Sequence, residues 1–283
     1  MIEFTIENGK YGKKLIVCSQ MTDAIARRCA SNDIRELELN WAKGFKAENI
    51  SFVKNLTQLL SFEICDYTIS SINEIHYLKN LKELSISTYC KTPLNLDSFE
   101  NLETLSLFWR KGVTGLSNLK KIKKIFTYRY APDSGDLREF SFLRTLQNLS
   151  LKTPLIESIG NVSGLENLCF LGIYAATKLN NIEGLENLKN LKHLELDTCT
   201  KIRKINVLSA ISSLETLSIS NCGRIESLKP VSELKALSEL RFIESTNIID
   251  GDIKIITRIP KLQKIIFRNR KHYNMRTDDL TSL

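Results

Sequence analysis

Leu191-Lys-His-Leu194-Glu-Leu196-Asp-Thr-Cys199 and Leu214-Glu-Thr-Leu217-Ser-Ile219-Ser-Asn-Cys222 are two copies of one pattern, LxxLxLxxC with Ile allowed for Leu. Each copy is followed three residues on by an isoleucine, Ile202 and Ile225. The near-identical stretches Gly164-Leu-Glu-Asn-Leu and Gly184-Leu-Glu-Asn-Leu precede two of the copies. The centre of the pattern alternates apolar with polar residues, the period of a strand that buries one face.

Slid along the chain, the pattern starts at Ile34, Leu59, Leu81, Leu102, Ile122, Leu146, Leu168, Leu191, Leu214, Leu237 and Leu262. The mean spacing is about 23 residues, inside the range of short structural repeats. No single copy can bury its own leucines, so neighbouring copies must stack. The ninth position varies: besides Cys199 and Cys222 it holds Ala42, Tyr67, Tyr89, Arg110, Tyr130, Pro154, Ala176, Ser245 and Arg270.

This register resembles the short leucine-rich repeats of the internalins and of intracellular phosphatase-regulating proteins. The resemblance covers about residues 34–270. It implies an α/β solenoid, a leucine-rich-repeat horseshoe whose concave face is a parallel β-sheet of about eleven strands. Residues 1–33 read as an N-terminal cap. Asn8-Gly9 marks a hairpin turn, and Thr22-Asp23 is placed to cap a short helix over Ile25–Cys29. Residues 34–270 form the repeats, and 271–283 a C-terminal tail or cap. Ala131–Asp136 reads as a loop insertion.

Composition narrows the class. The chain has 283 residues, of which 42% are hydrophobic and 25% charged, with a net charge of +8. That is ordinary for a globular protein. The longest apolar run, Leu168–Ala176, is far short of the roughly 20 residues of a membrane span. Neither end reads as a secretion signal or anchor, so a cytoplasmic location is expected. The seven cysteines show no CxxC spacing, which argues against a disulfide framework or zinc site. No cofactor is expected. Cys199 and Cys222 are expected in a buried ladder.

Positions three, five, seven and eight of each copy should face outward from the sheet. In the first three copies these include Glu36, Glu38, Trp41, Glu63, Asp66 and Glu83, with no basic residue, so this stretch should be acidic. The middle copies present Phe108, Trp109, Lys124, Phe126, Tyr128, Arg129, Lys152, Phe170 and Tyr174. Large aromatics and arginine are the side chains that dominate interface energetics. If the Ile122 frame were off by one, Phe126 would be core instead. Later copies return to acid, with His193, Glu195, Asp197, Glu239 and Glu244 against Arg241, before Lys264 and Arg268.

His193, Glu195, Asp197 and Ser218 could be mistaken for a hydrolytic set. Alternate residues on a strand lie about 6.6 Å apart, and no nucleophile elbow surrounds Ser218. The expected function is therefore a non-enzymatic scaffold that binds a folded protein partner on its concave face. The partner-binding residues are Trp41, Phe108, Trp109, Lys124, Phe126, Tyr128, Arg129, Phe170, Tyr174, His193, Glu195 and Asp197. A narrower form makes the chain an inhibitor or immunity protein for an effector or toxin. The alternative is nucleic-acid binding, with Arg110, Lys111, Lys120, Lys121, Lys123, Lys124 and Arg129 beside exposed rings. Alternating acidic and basic bands favour protein over a polyanion.

Overall fold

The computed structural model describes residues 2–160 and 162–282. It divides into two compact units, Met1–Phe126 and Thr127–Leu283. Each of the eleven motif starts is followed by a strand within three residues.

The first unit opens with β1 (Phe4–Asn8) antiparallel to β2 (Lys13–Val17). Asn8 stays in the ladder opposite Lys13. The turn therefore runs from Gly9 to Gly12, closed by Gly9 N–H donating to Gly12 O at 2.7 Å. Helix α1 (Asp23–Cys29) is capped by Thr22, whose hydroxyl accepts from Ile25 N–H at 3.3 Å. It buries Ile25 and Cys29. Strand β2 then lies parallel to β3 (Ile34–Asn40), followed by β4 (Ser61–Cys65) and β5 (Glu83–Ser87). The short β6 (Leu94–Asn95) pairs with β8 (Val113–Thr114) in a separate ladder, while β7 (Thr104–Phe108) continues the main sheet. The unit boundary falls inside β9 (Lys124–Tyr128). The hairpin thus adds two strands to the eleven that the motifs supply.

In the second unit β10 (Asn148–Lys152), β11 (Phe170–Tyr174), β12 (His193–Asp197) and β13 (Thr216–Ser220) are successive parallel neighbours. Strands β14 (Arg224–Ile225) and β16 (Asn247–Ile248) pair apart from the main sheet, which continues through β15 (Glu239–Phe242) to β17 (Lys264–Phe267). After β17, Tyr273 and Met275 are buried, and the Tyr273 hydroxyl accepts from Ile248 N–H at 2.9 Å. The expected tail or cap at 271–283 extends past residue 282 and to that extent lies outside the described residues.

The apolar pattern explains the core. In register, Leu149, Leu171, Leu194, Leu217 and Leu240 form one inward row, all at 1% exposure or less. Leu37, Phe62, Leu84 and Leu105 do the same in the first unit. The return segments are mostly 3₁₀ turns, such as Ser51–Asn55, Asn73–Tyr77 and Asn206–Ala210, each turning one apolar side chain inward (Val53, Ile75 and Leu208).

The two units differ where the strands end. In the second, the eighth position of every copy but the last, from Leu262, is left-handed: Arg129, Thr153, Ala175, Thr198, Asn221 and Glu244 have φ between 50° and 57°. That kink turns the ninth residue inward, so Tyr130, Ala176, Cys199 and Cys222 have no exposure. Cys199 and Cys222 donate from sulfur to Ile173 O at 3.6 Å and Leu196 O at 3.3 Å. The copy from Leu237 carries one extra residue. Ser245 is exposed, and Thr246 fills the interior, accepting from Cys222 N–H at 3.0 Å.

No such kink occurs among the described non-glycine residues of the first unit. After β4 and β5 the alternation of the strand simply runs on. The eighth residues Asp66 and Thr88 point in, each 2% exposed, and the ninth residues Tyr67 and Tyr89 point out.

Candidate functional site: an aromatic row on the first unit

Pointing out at the ends of successive strands, Trp41, Tyr67, Tyr89 and Phe108 form a row. Ring centroids are 6.1 Å apart between Trp41 and Tyr67, 4.7 Å between Tyr67 and Tyr89, and 5.5 Å between Tyr89 and Phe108. Despite this mutual packing, Trp41 remains 54% exposed, Tyr67 41% and Tyr89 62%. Tyr67 and Tyr89 stand at the ninth position, which in the second unit is the buried ladder position of Cys199 and Cys222. A polar eighth residue does not signal this difference, since the kinked copies carry Thr153, Thr198 and Asn221 there.

The polar residues under the row hold it. The Asp66 carboxylate accepts from Thr68 N–H at 2.7 Å, Thr68 hydroxyl at 2.8 Å and Ile69 N–H at 3.0 Å. It is thus a buried turn former and not the outward acid the pattern suggests. Arg110, 9% exposed, reaches back beneath Tyr89. It donates to Thr88 Oγ1 at 3.0 Å and, at 3.2 Å, to the Cys90 sulfur, with longer contacts to the carbonyls of both residues. Its Nε has no partner among the described residues. Burial pushes the Cys90 thiol up, but hydrogen bonds from Thr88 and Thr92 and the charge of Arg110 outweigh it, and the thiol lies below its ordinary value.

Two open hollows flank the row. One of about 690 Å³ is lined by Trp41, Phe45, Lys46, Glu48 and Tyr67, among others. The second, about 640 Å³, is lined by Tyr89, Lys91, Phe108, Trp109, Arg110 and Lys111, together with Thr88, Cys90, Pro93 and Gly112.

The strand centres beside the row are not the bare acidic face that the pattern suggests. The hairpin tip folds over them. Lys14 and Lys43 each lie 2.7 Å from Glu38, which is only 3% exposed. Tyr11 N–H donates to Glu36, itself 6% exposed, and Lys10 pairs with Glu83. Burial pushes Glu38 up, but hydrogen bonds from Lys14 and Lys43 prevail and hold its carboxyl below the ordinary value. Burial and the nearby Glu38 push Glu63 the other way. Lys10 and Lys14 come from the cap and Lys43 from the turn that follows β3, and no repeat pattern reports these pairings.

The remaining expected residues fall as follows. Trp109 and Phe108 are half-buried at the end of β7, and Lys124 is exposed on β9. Phe126 is 41% exposed while Ile125 and Thr127 are buried, so the Ile122 frame is correct as read and the off-by-one alternative is excluded. The basic cluster is dispersed. Arg110 is buried, Lys123 pairs with Glu103 at 2.7 Å, and Lys121 donates to Asn101 at 2.7 Å.

In the second unit Arg129 lies over the Tyr128 ring, 5.5 Å from its centroid. Phe170, Tyr174, His193, Glu195 and Asp197 are all half-buried. Tyr174 folds down over Gly172, where a Cβ would sit 2.4 Å from the tyrosine hydroxyl, and donates to Glu195. It is packed onto its own sheet instead of standing free. Glu195 and Asp197 join Glu239, Arg241 and Glu244 around a hollow of about 360 Å³. The Ser218 hydroxyl lies 3.3 Å from that of Ser220. Among the described residues no cluster could hold a metal ion and no helix is long and apolar enough to cross a membrane.

Stacked LxxLxLxx strands joined by short 3₁₀ returns define the class: this is a leucine-rich-repeat protein, an α/β solenoid. An internalin (inlF) of Listeria monocytogenes is similar at 22% identity and TM-score 0.52, over 91% of this chain and 87% of the other. A leucine-rich-repeat protein of Leptospira interrogans is similar at 19% identity and TM-score 0.50, over 88% and 75%. A TLR13 in complex with ssRNA13 is similar at 18% identity and TM-score 0.56, over 91% and 42%. At these identities the likeness is one of fold. No family model and no curated relative matches the chain.

Proposed function

We propose that the chain is a non-enzymatic scaffold that binds a protein partner, and that the aromatic row of the first unit is the principal contact. The observation that carries this reading is the exposure of Trp41, Tyr67 and Tyr89, contiguous and unneeded by the core. Large apolar rings left in water cost free energy that a partner recovers by covering them. Fold similarity to repeat proteins supports an interaction role in general. The narrower role, inhibitor or immunity protein in the cytoplasm, follows if the bound partner is an effector whose activity stops on binding.

The test is quantitative affinity capture with the wild type and with Tyr67→Ser/Tyr89→Ser, with and without nuclease. A partner held by the wild type and released by the double variant supports the reading. Identical capture by both proteins moves the contact elsewhere, and capture abolished by nuclease favours the nucleic-acid alternative.

A further inference from the structure

The hollow between Tyr89 and Trp109 has a charge that its neighbours do not balance. Lys91 and Lys111 are exposed on its rim and form no ion pair among the described residues. Arg110 lines it from beneath. The guanidinium is a fixed cation, and its acceptors here are the carbonyl and sulfur of Cys90 and the carbonyl and hydroxyl of Thr88. No carboxylate lines the hollow. A buried cation without a counter-charge is costly, and an incoming anion would supply one.

The apolar half of the lining is equally specific. Tyr89, Phe108, Trp109 and Pro93 form its walls, and the ring row leads away from it across two further strand ends, at Tyr67 and Trp41. Neighbouring rings 4.7–6.1 Å apart are already packed on one another. Nucleobases would need free ring faces to stack on. A polypeptide does not, since aliphatic side chains pack well on ring edges.

We propose that this hollow receives a carboxylate side chain from an acidic segment of the partner protein, whose neighbouring apolar side chains lie along Tyr89, Tyr67 and Trp41. This rests on the reading of the row as the contact face.

The test is selection of a displayed library of random dodecapeptides against the full chain. Binding is then read by intrinsic fluorescence, since Trp41 and Trp109 are the two tryptophans of the chain. Enrichment of Asp or Glu beside aliphatic or aromatic residues is expected, with affinity falling about tenfold in Lys91→Glu/Lys111→Glu. Peptides that depend on Tyr67 and Tyr89 but carry no acidic bias would overturn the charge assignment and leave the contact face standing. Peptides indifferent to Tyr67→Ser/Tyr89→Ser, or no enrichment at all, would overturn both. Oligouridylate bound more tightly than any peptide would reassign the hollow to nucleic acid.

Discussion

Asp66 and Tyr67 are neighbours in the chain and face opposite ways: the carboxylate is 2% exposed and fully engaged, while the ring is 41% exposed. Replacing each should therefore do opposite things. Asp66→Ala leaves three donors without their acceptor and should cost about 1–3 kcal/mol of stability. Tyr67→Ser should change stability by less than about 1 kcal/mol while weakening partner binding. Urea denaturation of both variants checks the contrast, and equal destabilisation would mean that Tyr67 is structural.

Glu38 gives the cap a pH dependence of predictable sign. Its folded carboxyl lies below the ordinary value, so its pairing with Lys14 and Lys43 stabilises the fold above the unfolded carboxylate pKa of roughly 4.3. That contribution fades as pH falls through the lower folded value. Glu63 is shifted upward and acts in the opposite sense, so the wild-type profile alone is a sum. The stability difference between wild type and Glu38→Gln isolates Glu38, and it should be largest near neutrality and shrink on acidification.

Arg110 should be visible in the chemistry of Cys90. Because the thiol is held below its ordinary value, its alkylation by a small reagent should reach half-maximal rate at lower pH than an unperturbed cysteine of pKa about 8.5. Arg110→Met should move that midpoint upward. Site-resolved mass spectrometry separates Cys90 from the other thiols. An unchanged midpoint would show that the guanidinium does not set the thiolate.

Core and kink in the second unit respond in opposite directions. Leu217 has no exposure, and Leu217→Ala should cost roughly 2–5 kcal/mol through the cavity it leaves. Ala175 holds a left-handed conformation at φ 55°, which disfavours any side chain by about 1–2 kcal/mol. Ala175→Gly should thus be neutral to slightly stabilising in thermal unfolding, since glycine's greater unfolded freedom takes back part of the gain.

The repeat register was fully legible, because apolar residues every about 23 positions leave no other stacking. Even the doubtful frame at Ile122 places Phe126 and Thr127 as the pattern requires. What the pattern missed depends on backbone conformation and long-range pairing. Whether position eight is extended or left-handed decides if Tyr67 and Tyr89 are core or surface, and one repeat read alone does not reveal it. The neutralisation of Glu38 and Glu83 by Lys14 and Lys10 joins residues far apart in sequence, which no local period encodes. Tyr174 packs onto its own sheet because Gly172 leaves room for the ring and Glu195 accepts its hydroxyl, a fit that an outward position in the repeat does not encode.

The different strand endings also assign different evolutionary freedom to the same place in the repeat. In the second unit a change at Cys199 or Cys222 must refit a closed interior. At Tyr67 and Tyr89, substitutions are met by solvent or by a partner. The first unit can therefore explore new binding specificities at two successive repeats while its hydrophobic interior stays untouched, much as an antibody varies its loops on an unchanging framework.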